Sequence, residues 1–381
     1  MLRKKVLVWE TLATVSGGQK MTLTVLDMLS DEYEFCCLIP SEGKLSEELK
    51  KRNIPYILMG DQTLPTGVKG KQVIFRYGWM SVKNIFKSLR IIGKYKPDML
   101  YCPGPAALPW SAICGSLSRK PVIWHLHHIF LDGATKKLLN ICGKWKSVRK
   151  IIAVSNCVGD QITNEAAHSK VEVLYNPVDV EKYANGDASK IAGDIYKALN
   201  FDLLNKADKL VLGHVALVQR SKKQDFVLRV IKALREKGVD AVGVFAGECR
   251  EPDYMEELQN LVDECGLSGQ VAFLGRRNDV PDLLKAIDVL MIPSAFEGFP
   301  LAGLEAAAAG VPVAACNVAG AEEFIRVSGN GLCFSEDDVD TAVAAIEDIV
   351  SHREKMIQSG KHFADKMSYT EYNALIHKTI K

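Results

Sequence analysis

Residues 289–305 have the sequence VLMIPSAFEGFPLAGLE, which predicts a strand, a turn and the start of a helix. The apolar run Val289–Ile292 is typical of a buried parallel strand. Gly298 permits a backbone turn, Pro300 suits the entry to a helix, and Gly310 is placed to end that helix. A loop in this position lies at the carboxyl edge of a parallel sheet. The stretch therefore predicts a doubly wound fold that binds a ligand there.

Two glutamates, Glu297 and Glu305, flank the predicted start of this helix and are separated by seven residues. A helix N-terminus attracts anions, and carboxylates accept hydrogen bonds from hydroxyl groups. The pair therefore suits a ligand that has both phosphates and sugar rings. The alternative is structural, with Glu297 acting as a helix cap and Glu305 lying on a solvated helix face.

Strands and helices alternate along almost the whole chain, which predicts parallel sheets with helices on both faces. We expect an α/β fold of two Rossmann-like doubly wound domains facing a cleft. The predicted boundaries are 1–180 for the N-terminal domain and 181–365 for the C-terminal domain. A helix in 366–381 is expected to pack back on the first domain. Residues 60–78 are predicted to be irregular before a helix at Ser81–Tyr95, and 180–208 has little strand signal.

The charge of the chain is uneven, because residues 1–180 carry 25 Lys/Arg against 15 Asp/Glu while 181–381 carry 23 against 31. The basic residues concentrate in 69–96 and 136–150, with aromatic residues among them. Such segments lie on anionic lipid or form solvated helix faces. Nucleic acid is not expected as a partner, since no binding motif accompanies the charge.

The predicted location is cytoplasmic, peripheral at the inner face of the cell membrane. No apolar run is long enough to span a bilayer, and the N-terminal sequence is typical of a first strand rather than a signal peptide. Ten cysteines without metal-ligand spacing are expected to be reduced thiols.

Three further motifs follow predicted strands. Gly17-Gly18 allows backbone amides to approach a phosphate, although an ordinary turn explains it equally well. His125 and His127 alternate onto one face, which suits hydrogen bonding at the sheet edge better than a metal site. Arg220 and Lys222 are placed to stabilise a departing phosphate, or form an exposed basic turn. In addition to these three motifs, Phe273-Leu-Gly-Arg276-Arg277 ends another predicted strand, where backbone groups are placed to contact a nucleobase.

These residues resemble the group-1 (family 4) retaining glycosyltransferases of the GT-B fold. The family's acidic motif, Glu, seven residues, Glu, matches Glu297 and Glu305 with Gly298-Phe-Pro between them. Weaker matches are Gly17-Gly18, Ser155-Asn156, Asn176-Pro-Val-Asp179, Phe273-Leu-Gly275 and Gly329-Asn-Gly331.

The resemblance implies residue roles. Glu297 contacts the donor sugar, Glu305 the ribose hydroxyls and Lys222 a phosphate, while His127, or else His125, hydrogen-bonds the sugar. Leu217 occupies the position of the family's phosphate-binding arginine, for which Arg220 is the candidate substitute. Glu323 matches a further family glutamate. The implied catalytic set is Glu297, His127, Lys222 and Arg220, and the donor-binding set is Gly17, Gly18, Gly298, Phe299, Pro300, Leu301, Glu305 and Arg276.

The implied function is retaining transfer of a sugar from a nucleotide-sugar, with UDP favoured and GDP second, to a saccharide or lipid-linked acceptor. No cofactor, metal or protein nucleophile is expected. Two alternatives remain, a GT-B epimerase or phosphorylase acting on related substrates, and a non-catalytic protein that binds nucleotide-sugars.

Overall fold

The computed structural model describes residues 3–60, 62, 71–199 and 209–380. This part of the chain divides into two compact units. The first comprises the described residues up to Asn176 together with those from Tyr372, and the second runs from Pro177 to Glu371. The division thus falls a few residues before the predicted boundary at 180 and 181.

The first unit alternates strands and helices from its beginning. Its strands β1 to β7 are Lys4–Trp9, Tyr33–Ile39, Tyr56–Leu58, Met99–Cys102, Val122–Leu126, Val148–Ala153 and Val171–Val173. Its helices α1 to α7 are Gly17–Leu29, Lys44–Lys51, Lys71–Tyr95, Leu108–Ser118, Gly133–Gly143, Asn156–Gly159 and Glu165–His168.

The seven strands of the first unit form one sheet in the order β3-β2-β1-β4-β5-β6-β7, and neighbouring strands pair in parallel. The chain reverses its direction of travel across the sheet between β1 and β4, so the loops after these two strands diverge there. A later helix completes the core. Tyr372, Ile376 and Ile380, spaced four residues apart, pack in the same buried cluster as Val8 and Leu26.

The second unit repeats this alternation. Its strands β8 to β13 are Leu210–Val215, Ala241–Ala246, Val271–Phe273, Val289–Ile292, Val313–Cys316 and Gly331–Phe334. Its helices α8 to α16 are Val180–Ala184, Ser189–Leu199, Gln224–Glu236, Pro252–Glu264, Val280–Ala286, Leu301–Ala309, Ala319–Ser328, Val339–Ser351 and Arg353–Lys366, and α17, Tyr369–Ile380, carries the chain into the first unit.

The sheet of the second unit has the order β10-β9-β8-β11-β12-β13, again parallel in its pairings. Its reversal point lies between β8 and β11, where Leu212 pairs with Val289. Helices cover both faces, and Phe226, Leu258 and Ile346 are among the buried side chains of its core. The predicted fold class, α/β with two Rossmann-like doubly wound sheets, is confirmed.

Two local predictions differ from the structure. Helix α3 begins at Lys71 rather than Ser81, because Met80 and Ile92 bury an inward face and the helix continues through Gly78. Gly17 and Gly18 form the first turn of α1 rather than a loop. The segment 180–208, expected to have little strand signal, contains the helices α8 and α9 and no strand among its described residues. Residues 61 and 63–70 of the segment predicted to be irregular, and residues 200–208, lie outside the described residues.

Within the described ranges, the structure has no helix that combines the length and the apolarity needed to cross a membrane.

Candidate functional site

The reversal point of the second sheet brings two predicted loops together. The cationic loop follows β8 and the glutamate loop follows β11, and β8 and β11 are neighbours. The backbone N–H of Ala295 donates to the carbonyl oxygen of Ser221 at 3.0 Å, which fixes one loop against the other. Parallel α/β sheets bind ligands where such loops diverge, so the topology alone marks this place.

Lys222 and Glu297 form an ion pair at this point. The Lys222 ammonium donates to Glu297 Oε1 at 2.6 Å, and the two side chains are 23% and 16% exposed. Charge-assisted hydrogen bonds of this length are strong, and partial burial limits screening by solvent. The pair holds a cation and a carboxylate side by side with their tips still open to a polar ligand.

Helix α13 begins four residues after Glu297 and has no side-chain cap at its N-terminus. Pro300 occupies the cap position, and its side chain accepts no hydrogen bond from the first turn, which starts at Leu301. Unpaired amides at a helix start favour an anion. Phe299 is 5% exposed, and its ring centroid lies 5.6 Å from that of Phe324. This contact holds the glutamate loop against the second unit.

Glu305 lies further along α13, close to a residue that the sequence did not indicate. Tyr183, on α8, is buried, and its phenol lies near enough to the Glu305 carboxylate for that charge to act on it. Burial raises the pKa of Tyr183, and the Glu305 charge raises it further, so the phenol stays protonated as a donor. No sequence signal relates Tyr183 to Glu305, because α8 reaches α13 only through tertiary packing.

Gly320, on α14, shapes the same loop by the absence of a side chain. A Cβ at this position would lie 2.2 Å from the carbonyl oxygen of Glu297 and 2.4 Å from that of Gly298. The start of α14 therefore approaches the glutamate loop as closely as backbone atoms allow. Glu323, one turn later on α14, is 4% exposed.

His214 is a second residue that sequence reasoning missed. It lies at the end of β8, is 2% exposed, and its Nδ1 donates to the carbonyl oxygen of Met291 at 2.9 Å. Its Nε2 has no hydrogen-bond partner among the described residues. Burial lowers the pKa of His214 to about 4, with Lys222 lowering it and Glu297 raising it by smaller amounts.

Arg220 and Arg276 lie apart from this pair. The Arg220 guanidinium donates twice to Glu257, at 2.6 Å each, and lies 5.0 Å from the ring centroid of Tyr254. Arg276 is 52% exposed and its nearest acid is Glu248 at 3.8 Å. The structure therefore brings Lys222, Glu297 and the start of α13 together and directs both arginines elsewhere.

The predicted glycines and histidines of the first unit lie beside one another. A Cβ on Gly18 would lie 3.7 Å from His128 Nε2 and 3.9 Å from His127 Cβ. The first turn of α1 is held in place by Glu10, a buried carboxylate directly after β1. Glu10 accepts hydrogen bonds from the Gln19 amide at 3.1 Å and from the Thr22 hydroxyl at 2.5 Å. The first amides of α1 are thus held next to the histidine loop.

His125 and His127 are neighbouring neutral rings, whose planes are tilted by 37°. His125 is completely buried, its Nδ1 lies 2.5 Å from the Tyr101 hydroxyl, and its ring centroid is 4.1 Å from that of His127. Burial lowers the pKa of His125 to about 3 and that of His127 well below its usual value, the latter also because His125 and His128 are close. The described residues contain no group of three or more His, Cys, Asp or Glu able to hold a metal ion.

The buried histidines make stability depend on pH. Burial lowers the pKa of His125 to about 3 and of His214 to about 4, whereas an unfolded histidine titrates near about 6.5. The unfolded chain therefore binds more protons between these values, and the free energy of unfolding falls as the pH drops below about 6.5. Burial raises the pKa of Glu10, so the folded chain holds that proton more tightly than the unfolded chain. This group therefore lowers the free energy of unfolding as the pH rises above the usual pKa of a glutamate.

We expect His214→Gln to reduce this pH dependence, measured as the melting temperature from about pH 7.5 to about pH 5. His352→Gln is the control, because His352 is 62% exposed. A slope in His214→Gln equal to that of the unaltered protein would contradict the assignment.

Two family profiles together match most of the chain. The profile described as Glycosyltransferase Family 4 matches residues 15–182, and that described as Glycosyl transferases group 1 matches residues 197–363. The chain belongs to the group-1, family 4 glycosyltransferases. This glycosyltransferase is therefore an enzyme that transfers a glycosyl group, as the sequence resemblance predicted.

Two bacterial glycosyltransferases are similar to the chain in sequence. The glycosyltransferase is 24% identical over 348 residues to the Escherichia coli UDP-Gal:alpha-D-GlcNAc-diphosphoundecaprenol alpha-1,3-galactosyltransferase, covering 87% of this chain and 84% of the relative. It is 32% identical over 160 residues to the lipopolysaccharide core biosynthesis mannosyltransferase LpsB of Rhizobium meliloti, covering 40% and 44%.

Solved structures share the fold over the whole length. Anabaena Alr3699/HepE in complex with UDP-glucose superposes with a TM-score of 0.79 at 22% identity, covering 99% of both chains. WaaG, a glycosyltransferase involved in lipopolysaccharide biosynthesis, superposes with a TM-score of 0.69 at 13% identity, covering 98% of each chain. The two-domain GT-B fold is thereby established for this glycosyltransferase.

Proposed function

We propose that this glycosyltransferase moves a sugar from a nucleotide-sugar, with UDP-sugars favoured over GDP-sugars, to a saccharide or lipid-linked acceptor with retention of configuration. The observation that carries the proposal is the Lys222–Glu297 pair, 2.6 Å apart beside the start of α13, which has no side-chain cap. A nucleotide-sugar combines what these groups recognise, namely phosphate charge and sugar hydroxyls.

Each group then has a separate task. Lys222 and the first amides of α13 bind the diphosphate and stabilise the charge that grows on it as the glycosidic bond breaks. Glu305, on the same helix, accepts hydrogen bonds from the ribose. Glu297 accepts from a hydroxyl of the donor sugar, and a hydrogen bond from His127 to the donor sugar is the role that the family resemblance implies.

The proposed reaction needs no protein nucleophile. The bond between the anomeric carbon and the diphosphate oxygen breaks, and the acceptor oxygen bonds to that carbon from the same face. The acceptor proton passes to the departing diphosphate, which is the base. Retention follows because attack and departure share one face. Metal independence is part of this proposal, with the two helix starts and Lys222 supplying positive charge.

We place the reaction in surface polysaccharide or glycolipid biosynthesis, with the enzyme peripheral at the cytoplasmic face of a membrane. The excess of 25 Lys/Arg over 15 Asp/Glu in residues 1–180 supports this, since anionic lipid attracts such a surface. The naming of the E. coli relative after a diphosphoundecaprenol acceptor is consistent with it.

The first test is a thermal-shift series with UDP, GDP, ADP and their sugars. We expect UDP and one UDP-sugar to raise the melting temperature, because a ligand that binds only the folded state stabilises it by mass action. The bound UDP-sugar is then incubated with candidate acceptors in the presence of EDTA, and the anomeric configuration of the product is determined by NMR. An inverted product would contradict retention, and the absence of any nucleotide shift would contradict the donor assignment.

A further inference from the structure

Helix α3 carries large apolar side chains on its solvent-facing side. Phe75 is 81% exposed, Trp79 73%, Val82 48% and Phe86 64%. Exposure of large apolar side chains to water is unfavourable, so four of them on one helix form an unusual surface for a protein in water. We call these four residues the apolar stripe.

The stripe is a single line along the helix. Its members are spaced by four, three and four residues, and at 3.6 residues per turn they fall within about 60° of the helix circumference. The opposite side of α3 holds Met80, Asn84, Ser88 and Ile92, all buried against the first unit. The stripe is thus the solvent-facing side of a helix whose opposite side is packed against the first unit.

Cations accompany the stripe and acids do not. Residues 71–95 contain six Lys or Arg and no Asp or Glu. Five of the six lie along one flank of the stripe, about 60–120° around the helix; these are Arg76, Lys83, Lys87, Arg90 and Lys94. An apolar line beside a row of cations is complementary to acyl chains beneath anionic headgroups.

We infer that α3 lies in the plane of an anionic membrane, with the apolar stripe inserted below the headgroups and the flanking cations Lys83, Arg90 and Lys94 paired with lipid phosphates. The inference rests on the proposed function for the membrane as partner and adds which surface meets it. A protein partner fits less well, because the cations would require an acidic groove of matching length. The helix 71–95 is long enough, at about 1.5 Å per residue, to set the orientation of the first unit on the lipid.

Tryptophan fluorescence tests this directly. Of the five tryptophans, all in the described part of the chain, Trp79 is 73% exposed whereas Trp9, Trp110 and Trp124 are 0% exposed. We expect vesicles of phosphatidylglycerol and phosphatidylcholine to shift the emission to shorter wavelength, and brominated lipid to quench it. Trp79→Phe removes both responses while Trp145→Phe, in the other basic segment, retains them. The reverse pattern would overturn the inference.

Flotation with the same vesicles measures how strongly each variant partitions onto the membrane. We expect Phe75→Ser with Phe86→Ser, and separately Lys83→Gln with Arg90→Gln and Lys94→Gln, to lower the partition coefficient by more than about tenfold. Leu117→Ser is the control for the first set, because Leu117 is 65% exposed away from the stripe. Charge reversal at Lys144, Lys146 and Arg149 has the smaller effect. If it abolishes binding while the α3 variants float normally, the inference is wrong.

The thermal shift with UDP separates this inference from the proposed function. The α3 variants retain that shift, because α3 belongs to the first unit and the Lys222–Glu297 pair to the second. Loss of flotation with an intact UDP shift supports the α3 surface. Normal flotation of every α3 variant would overturn it without affecting the donor site, and binding of acidic proteins or RNA in place of vesicles would also overturn it.

Discussion

Glu297→Gln is expected to lower kcat by about 100-fold or more while leaving the affinity for UDP within a few-fold of normal. The substitution keeps the size of the side chain and one hydrogen-bond acceptor, but it removes the charge that lies 2.6 Å from Lys222. The donor sugar develops positive charge as its bond to the diphosphate breaks, and a neutral amide stabilises that charge less. Lys222 is not removed, so the diphosphate keeps its cation.

The measurement is kcat with a UDP-sugar, together with the Kd of UDP by calorimetry. Glu236→Gln is the matched control, because Glu236 is 66% exposed and pairs only along its own helix with Lys232 at 3.4 Å. Full activity of Glu297→Gln would refute the assignment. An equal loss of activity and of UDP affinity would instead mark Glu297 as part of the nucleotide site.

Gly320→Ala is expected to lower kcat/KM by about 100-fold through displacement of the glutamate loop. The added Cβ would lie 2.2 Å from the Glu297 carbonyl oxygen, far inside van der Waals contact, and both partners are backbone atoms that no side-chain rotation relieves. A shift of about 1 Å at a positioned catalytic group is enough for a loss of this size. A melting temperature measured beside the kinetics separates loop displacement from unfolding.

Gly193→Ala is the control for this prediction. Gly193 lies within α9 of the same unit, and a Cβ there would meet nothing within 4 Å. Alanine in an open helical position stabilises by roughly 0.5–1 kcal/mol, so activity is kept and the melting temperature rises slightly. Unchanged kcat/KM in Gly320→Ala would show that α14 does not constrain the loop.

The donor half of the site was readable because it is contiguous in sequence. Residues 289–305 contain the strand, the turn and the start of the helix. Each was predicted from an apolar run or from the Gly and Pro residues that mark turns and helix ends. The approach of Lys222 to Glu297 follows from sheet order, since neighbouring parallel strands deliver their loops to one edge. The acidic spacing then supplied the resemblance that the family profiles confirm.

The remainder depends on tertiary contacts that no local pattern encodes. Tyr183 meets Glu305, and Gly320 meets Glu297, only after separate helices pack. The direction of Arg220 was unpredictable for another reason, because a long flexible cation pairs with whichever acid lies closest, here Glu257. Helix α3 was predicted too short because Pro65, Gly67 and Gly70 made the whole stretch 60–78 resemble a loop, whereas burial of the inward face extends the helix back to Lys71.

The return of α17 to the first unit has a consequence for synthesis on the ribosome. Tyr372, Ile376 and Ile380 belong to the core of the first unit, yet they are translated after the whole of Pro177–Glu371. At about 5–20 residues per second, this delay is on the order of 10–40 s. Throughout that interval the nascent first unit exposes the apolar groove that these three side chains later fill, so chaperone binding during translation has a defined target.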